Sequence, residues 1–114
     1  MLLALTTLAL VGILSNVKAV ELFRRRIVYS ESAFAELILW RVQKPIAGSQ
    51  HPFKYRLAYV VNGVCVLRFD NETGKGDHRH VGSKESSYTF TTPEKLIADF
   101  QREIARWDHE NGHT

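Results

Sequence analysis

Phe53-Lys54-Tyr55-Arg56-Leu57-Ala58-Tyr59-Val60-Val61-Asn62-Gly63-Val64-Cys65-Val66-Leu67-Arg68-Phe69-Asp70 is the stretch that decides the fold. Two runs rich in β-branched and aromatic residues flank Asn62-Gly63. That pair is preferred in a two-residue type I′ turn because both central positions need positive φ. The stretch therefore reads as a β-hairpin. With that turn Val61 faces Val64, Tyr59 faces Val66, Arg56 faces Phe69 and Tyr55 faces Asp70. The register sets Lys54, Arg56 and Asn71 on one face and delivers the next segment to the base of the hairpin. Cys65 is the only cysteine. It excludes an intramolecular disulfide and a Cys-based zinc site, and in its valine run it reads as a small buried apolar residue.

Outward from the hairpin, Gln43 to Pro52 is punctuated by Pro45, Gly48, Ser49 and Pro52 and reads as a loop. Before it, Leu22 to Tyr29 and Phe34 to Val42 read as two strands joined by the turn residues Ser30-Glu31-Ser32. Phe34 to Val42 is apolar on both faces, which suits a central strand. After the hairpin, Val81 to Glu85 reads as an irregular or short-strand path and Ser87-Tyr88-Thr89-Phe90 as an edge strand. Thr91-Thr92-Pro93-Glu94 then opens a helix: either threonine can cap it, Pro93 fits its first turn, and Thr91 with Glu94 makes a capping box. Leu96, Ile97, Phe100, Ile104 and Trp107 recur on one stripe that wants to lie on a sheet. The expected fold is α+β, an antiparallel sheet of about five strands with one C-terminal helix packed on it.

The chain has 114 residues, with 45% hydrophobic and 24% charged, the proportions of a single globular domain. A net charge of +3 and a pI near 9.2 are compatible with a nucleic-acid partner without demonstrating one. Leu2 to Leu14 is nearly all apolar, yet too short for a membrane span of about 20 residues. Three readings of it are ranked. A mis-assigned start comes first, with translation opening at Val17-Lys18-Ala19. A short packed helix comes second. A signal peptide comes third, because no Lys or Arg precedes the apolar run. The domain organisation is thus an extension over 1–16, one α+β domain over 17–108 and a polar tail over 109–114. His109 and His113 read as tail residues rather than as a metal pair.

The polar run Asn71-Glu72-Thr73-Gly74-Lys75-Gly76-Asp77-His78-Arg79-His80 reads as a loop carried on that scaffold. Three readings compete. In the first, Gly74 and Gly76 let backbone N–H groups face an anion beside Lys75. His78 and His80, about 6.5–7 Å apart in an extended chain, flank one phosphodiester as general acid and base. Arg79, Arg56 or Lys54 stabilises the charge that builds on the phosphoryl oxygens. That outline is a metal-independent ribonuclease using the RNA's own 2′-hydroxyl, with no cofactor. The second reading is a metal site from Asp77, His78 and His80, with His51 as a further ligand. The third is structural or adhesive. Arg24 and Arg26 share a strand face, either salt-bridged to a carboxylate such as Glu36 or forming a phosphate track. Tyr55, Tyr59 and Tyr88 either stack bases or pack.

Phe23-Arg24-Arg25-Arg26-Ile27-Val28, Phe34-Ala35-Glu36, His51-Pro52-Phe53-Lys54-Tyr55-Arg56-Leu57, Arg68-Phe69-Asp70-Asn71-Glu72, Gly74-Lys75-Gly76-Asp77-His78-Arg79-His80 and Phe90-Thr91 with its helix resemble the TumE family of prokaryotic toxins. The resemblance runs from about Val17 to Trp107. It implies the toxin of a type II toxin–antitoxin system, cytoplasmic, neutralised by a cognate antitoxin, typically a helix-turn-helix DNA-binding protein. It does not fix a mechanism. Joined to the residue reading, it makes RNA the expected target, with His78 and His80 as the acid–base pair and Lys54, Arg56, Lys75 and Arg79 as phosphate contacts. Tyr55 and Asp70 would orient them, and Arg24 and Arg26 would extend the RNA track. No membrane partner is expected, and a homodimer is left open. The alternative is a non-catalytic protein whose basic sheet binds nucleic acid or the antitoxin.

Overall fold

The computed structural model describes residues 11–14 and 17–112. Among them, seven antiparallel strands follow one another in chain order: β1 (Val11–Leu14), β2 (Val17–Ser30), β3 (Ala33–Val42), β4 (Phe53–Val61), β5 (Val64–Glu72), β6 (Gly76–Val81) and β7 (Lys84–Ser87). One helix, α1 (Pro93–Glu110), closes the chain. The class is α+β as expected, with seven strands instead of about five. Half of the polar run is strand β6, Asn71 and Glu72 end β5, and only residues 73–75 are turn rather than strand; the edge strand lies earlier than Ser87–Phe90. The start-site, helix and signal readings fall mainly on residues 1–10, outside the described residues; residues 11–14 are strand.

Strand periodicity builds the core. Ala33, Ala35, Leu37 and Leu39 of β3, Tyr55, Leu57 and Tyr59 of β4 and Leu67 and Phe69 of β5 face the same side. There they bury against Leu96, Phe100 and Ile104 of α1. The intervening residues, among them Arg56, Arg68 and Asp70, face the opposite, open side.

The Asn62-Gly63 turn forms as expected, with φ of +52° and +77°. The register beyond it does not. A β-bulge sets Val60 against Cys65 and then Tyr59 against Leu67, so Leu57 meets Phe69 and Arg56 meets Asp70. Without the extra residue, Phe69 would have joined Arg56 on the open side. The bulge keeps Leu67 and Phe69 on the core side, moves Asp70 beside Arg56, and turns Asn71 away from Lys54 and Arg56. Cys65, at the bulge, is exposed rather than buried.

Loop 43–52 folds back over one end of the sheet. Ile46 buries against Ala19 and Val42, and Gly48 touches Gly76. A Cβ at Gly48 would lie 2.6 Å from the Gly76 nitrogen, and both residues have positive φ, +96° and +77°. Only glycine fits this contact on both sides.

The helix start has a cap but no reciprocal box. Thr92, in extended conformation, accepts from the Lys95 N–H at 3.1 Å, Pro93 follows it, and the third helical position is Lys95 instead of an acid. Replacing Thr92 by alanine is expected to cost about 1 kcal/mol, read as a lower urea midpoint at unchanged slope. Residues 109 and 110 still belong to the helix, and the Tyr59 hydroxyl donates to Asp108 at 2.7 Å. Among the described residues, no helix is long and apolar enough to cross a membrane.

Candidate functional site

Two cross-strand rows on the open side carry the polar chemistry. One runs Arg24, Ile38, Arg56, Asp70, His78 and Ser87; the next runs Arg26, Glu36, Ala58, Arg68, His80 and Glu85. Adjacent strands lie about 4.8 Å apart, so β5, β6 and β7 bring Arg68, Asp70, His78, His80 and Glu85 into one cluster. Arg68 stands 3.0 Å from Asp70 and donates to His80 Nε2 at 3.0 Å. The His78 and His80 ring centres are 6.2 Å apart. His78 Nε2 faces the Lys75 carbonyl at 2.7 Å, and its Nδ1 faces Glu85 Oε2 at 3.1 Å. Both partners are acceptors, so the doubly protonated imidazolium satisfies both. His80 presents Nε2 to a guanidinium, which asks for the lone pair of the neutral ring. The same nitrogen lies 3.2 Å from Glu85 Oε2.

The other expected phosphate contacts divide. Arg56 is exposed and makes no ion pair or hydrogen bond among the described residues, and Lys75 stands exposed in the β5–β6 turn. Lys54 shares the open side but donates to the Asn71 carbonyl at 2.7 Å, and burial lowers its pKa. Arg24 is tied to Glu21 at 2.9 Å. Arg26 is tied to Glu36 at 3.4 Å and lies over the Phe34 ring at 3.8 Å. Arg79 is on the helix side, bonded to Ser86 at 3.2 Å and 3.8 Å from Glu103.

Tyr55 and Asp77 also lie on the helix side and do not meet the histidines. They belong to a second cluster. Asp77 accepts from Ser49 Oγ at 2.6 Å and from the Tyr55 hydroxyl at 2.6 Å, and lies 2.7 Å from His51 Nε2. The Phe53 N–H points at His51 Nδ1, so Nε2 carries the proton that Asp77 accepts. Asn71 braces the cluster, taking the Tyr55 N–H and giving to the Phe53 carbonyl and Ser49. The His51 ring stacks on Phe90 at 3.8 Å. Burial, then the bond to Asp77, raises the Tyr55 pKa far above that of an ordinary phenol. Tyr55 therefore stays a donor, and the cluster fastens loop 43–52 to β6.

A three-residue ligand set does exist, though not the expected one. Because neighbours on a strand point apart, Asp77 turns away from His78 and His80. Asp70 instead brings an oxygen within 4.8 Å of both ring nitrogens. The Arg68 guanidinium already contacts two of the three, supplying positive charge where a cation would bind. Arg68 and Glu85 are the site members that sequence reasoning missed. The i, i+2 spacing of Arg68 and Asp70, read through the bulge, was the signal for the first.

A family model described as Toxin TumE matches residues 14–108. No curated protein and no solved structure gives a match.

Proposed function

The chain belongs to the TumE toxin family, and from that premise we propose that it is the toxin of a type II toxin–antitoxin pair that cleaves RNA in the cytoplasm without a metal. The observation that supports this is the pair of imidazoles on one open sheet face, 6.2 Å apart, with the unpaired Arg56 two strands away in the His78 row. The two rings suit opposite roles. His80, neutral against Arg68, takes the proton from the RNA 2′-hydroxyl as its oxygen attacks phosphorus. His78, as imidazolium, gives its proton to the departing 5′-oxygen. One P–O bond forms, one breaks, and the products are a 2′,3′-cyclic phosphate and a free 5′-hydroxyl. Arg56 and Lys75 reach the flanking phosphates, and Arg68 holds His80 in place. Arg24 and Arg26 contribute once released from Glu21 and Glu36. Asp70 neutralises Arg68 instead of reacting. The family supports a cognate antitoxin, for which a helix-turn-helix DNA-binding protein is the proposed type.

The test is incubation of the purified full chain with RNA in EDTA, with end-group analysis of the products. Cleavage that persists in EDTA, leaves cyclic phosphate ends and stops with a 2′-deoxy nucleotide at the cut is the expected result. Cleavage lost in EDTA and restored by a divalent ion would move Asp70, His78 and His80 to a metal role. A folded, growth-inhibiting protein that leaves RNA intact would leave the non-catalytic binder.

A further inference from the structure

One carboxylate oxygen stands where the proposed substrate would put its phosphate. Glu85 Oε2 lies 3.1 Å from His78 Nδ1 and 3.2 Å from His80 Nε2, a single oxygen shared between two imidazoles. We propose that the His78 imidazolium, joined by His80 when its Nε2 carries a proton instead of accepting from Arg68, forms an oxyanion site already filled by Glu85, and that a phosphate group binds by displacing this side chain. The inference deepens the ribonuclease reading and rests on its assignment of the two histidines to phosphate.

Three observations carry it. The Glu85 side chain is 48% exposed, and an exposed ion pair contributes only about 0–1 kcal/mol, so moving it aside is cheap. It sits on β7, whose only sheet neighbour among the described residues is β6, so nothing on the far side of the strand holds it. A cleft of about 440 Å³, whose lining includes Lys75, Asp77, His78, Glu85, Ser86 and Ser87, opens beside it. That volume receives an incoming anion or the displaced carboxylate. Inorganic phosphate or a monoester brings more charge and more acceptor oxygens than a carboxylate, and cationic donors favour it accordingly. An internal diester carries the same single charge as Glu85 and competes through its neighbouring phosphates. Arg68 and Arg56 face the same side, and Lys75 lines the cleft. Glu85 thus holds His78, and His80 whenever that ring is protonated, until a better anion arrives.

The experiment titrates inorganic phosphate, and separately a short all-deoxy oligonucleotide, into the full chain. The imidazole proton resonances of His78 and His80 are followed by NMR. Wild type is compared with Glu85→Gln, with Glu85→Ala as a second variant and with Glu94→Gln, which makes the same charge change on the helix. Both Glu85 variants are expected to bind about two- to fivefold tighter than wild type, with the shifts on both histidines, while Glu94→Gln follows wild type. A gain for phosphate alone assigns the site to phosphate monoesters. A gain for both ligands assigns it to the internal diester. Equal or weaker binding in both Glu85 variants, or shifts that spare the histidines, overturns the proposal. Neither readout needs turnover. An anion site in a protein that does not cut RNA would sink the nuclease alone, and cutting with no Glu85 effect would sink only this inference.

Discussion

Purified His78→Ala and His80→Ala proteins are each expected to cut RNA about 10²–10⁴-fold more slowly than wild type, the usual worth of one general acid or base. Both should still fold. The two side chains lie on the open side, and neither contributes an apolar contact to the core beneath α1. Removing His78 forfeits its bonds to the Lys75 carbonyl and Glu85, a loss of about 1 kcal/mol. The two deficits should also fail to add. Once one partner of a concerted proton transfer is gone, the second has little left to contribute. The measurement is single-turnover cleavage of a defined RNA, with circular dichroism confirming the sheet. A variant that retains tenth-strength cleavage or better would remove that histidine from the reaction.

Asp77→Ala is expected to damage the fold more than any change on the open side. It strips the shared acceptor from Ser49, His51 and Tyr55 together and leaves three largely buried donors unanswered. At about 1–3 kcal/mol for each orphaned donor, and allowing for partial rescue by water, the loss should reach about 3–5 kcal/mol. In a chain of this size that lowers Tm by roughly 15–25 °C. Asp77→Asn, which keeps one acceptor oxygen, should fall between. Because Asp77 separates Gly76 from His78, loosening it also frees the turn whose Lys75 carbonyl holds the His78 ring. A loss below about 1 kcal/mol by urea unfolding would mean that the cluster is not what fastens loop 43–52.

What was legible in the sequence divides along physical lines. Asn62-Gly63 specifies its turn through local backbone preference, and Leu96, Phe100 and Ile104 announce the helix through period alone, so both were readable. The bulge was readable in principle. Pairing Arg56 with Phe69 mixed a charged and an aromatic residue on one face, and inserting one residue reconciles the alternation of both strands. Strand β6 was hidden for a different reason. Its helix-side residues Asp77 and Arg79 are polar and are satisfied by Ser49, His51, Tyr55, Ser86 and Glu103. A strand whose inward positions are charged shows no apolar alternation to detect. Tyr55 and Asp77 went to the wrong face for want of that register. Glu85 could be found only once β7 was paired with β6, since its own neighbours Lys84 and Ser86 say nothing of an imidazole. The open-side site depended on the same unseen step: Arg68 and Asp70, His78 and His80, and Glu85 come from three strands and become one cluster only through strand pairing.

The chain-order meander also has a meaning for how the molecule is made. Each strand pairs with the one synthesised just before it, so the sheet can zip up by short loop closures as it emerges. The helix differs, because Pro93–Glu110 comes after every strand it must cover. Until that segment leaves the ribosome, Leu57, Leu67 and Phe69 form a sheet surface with no lid. A message broken upstream of Pro93 would therefore yield a sticky half-product rather than a smaller working toxin, bait for chaperones and proteases.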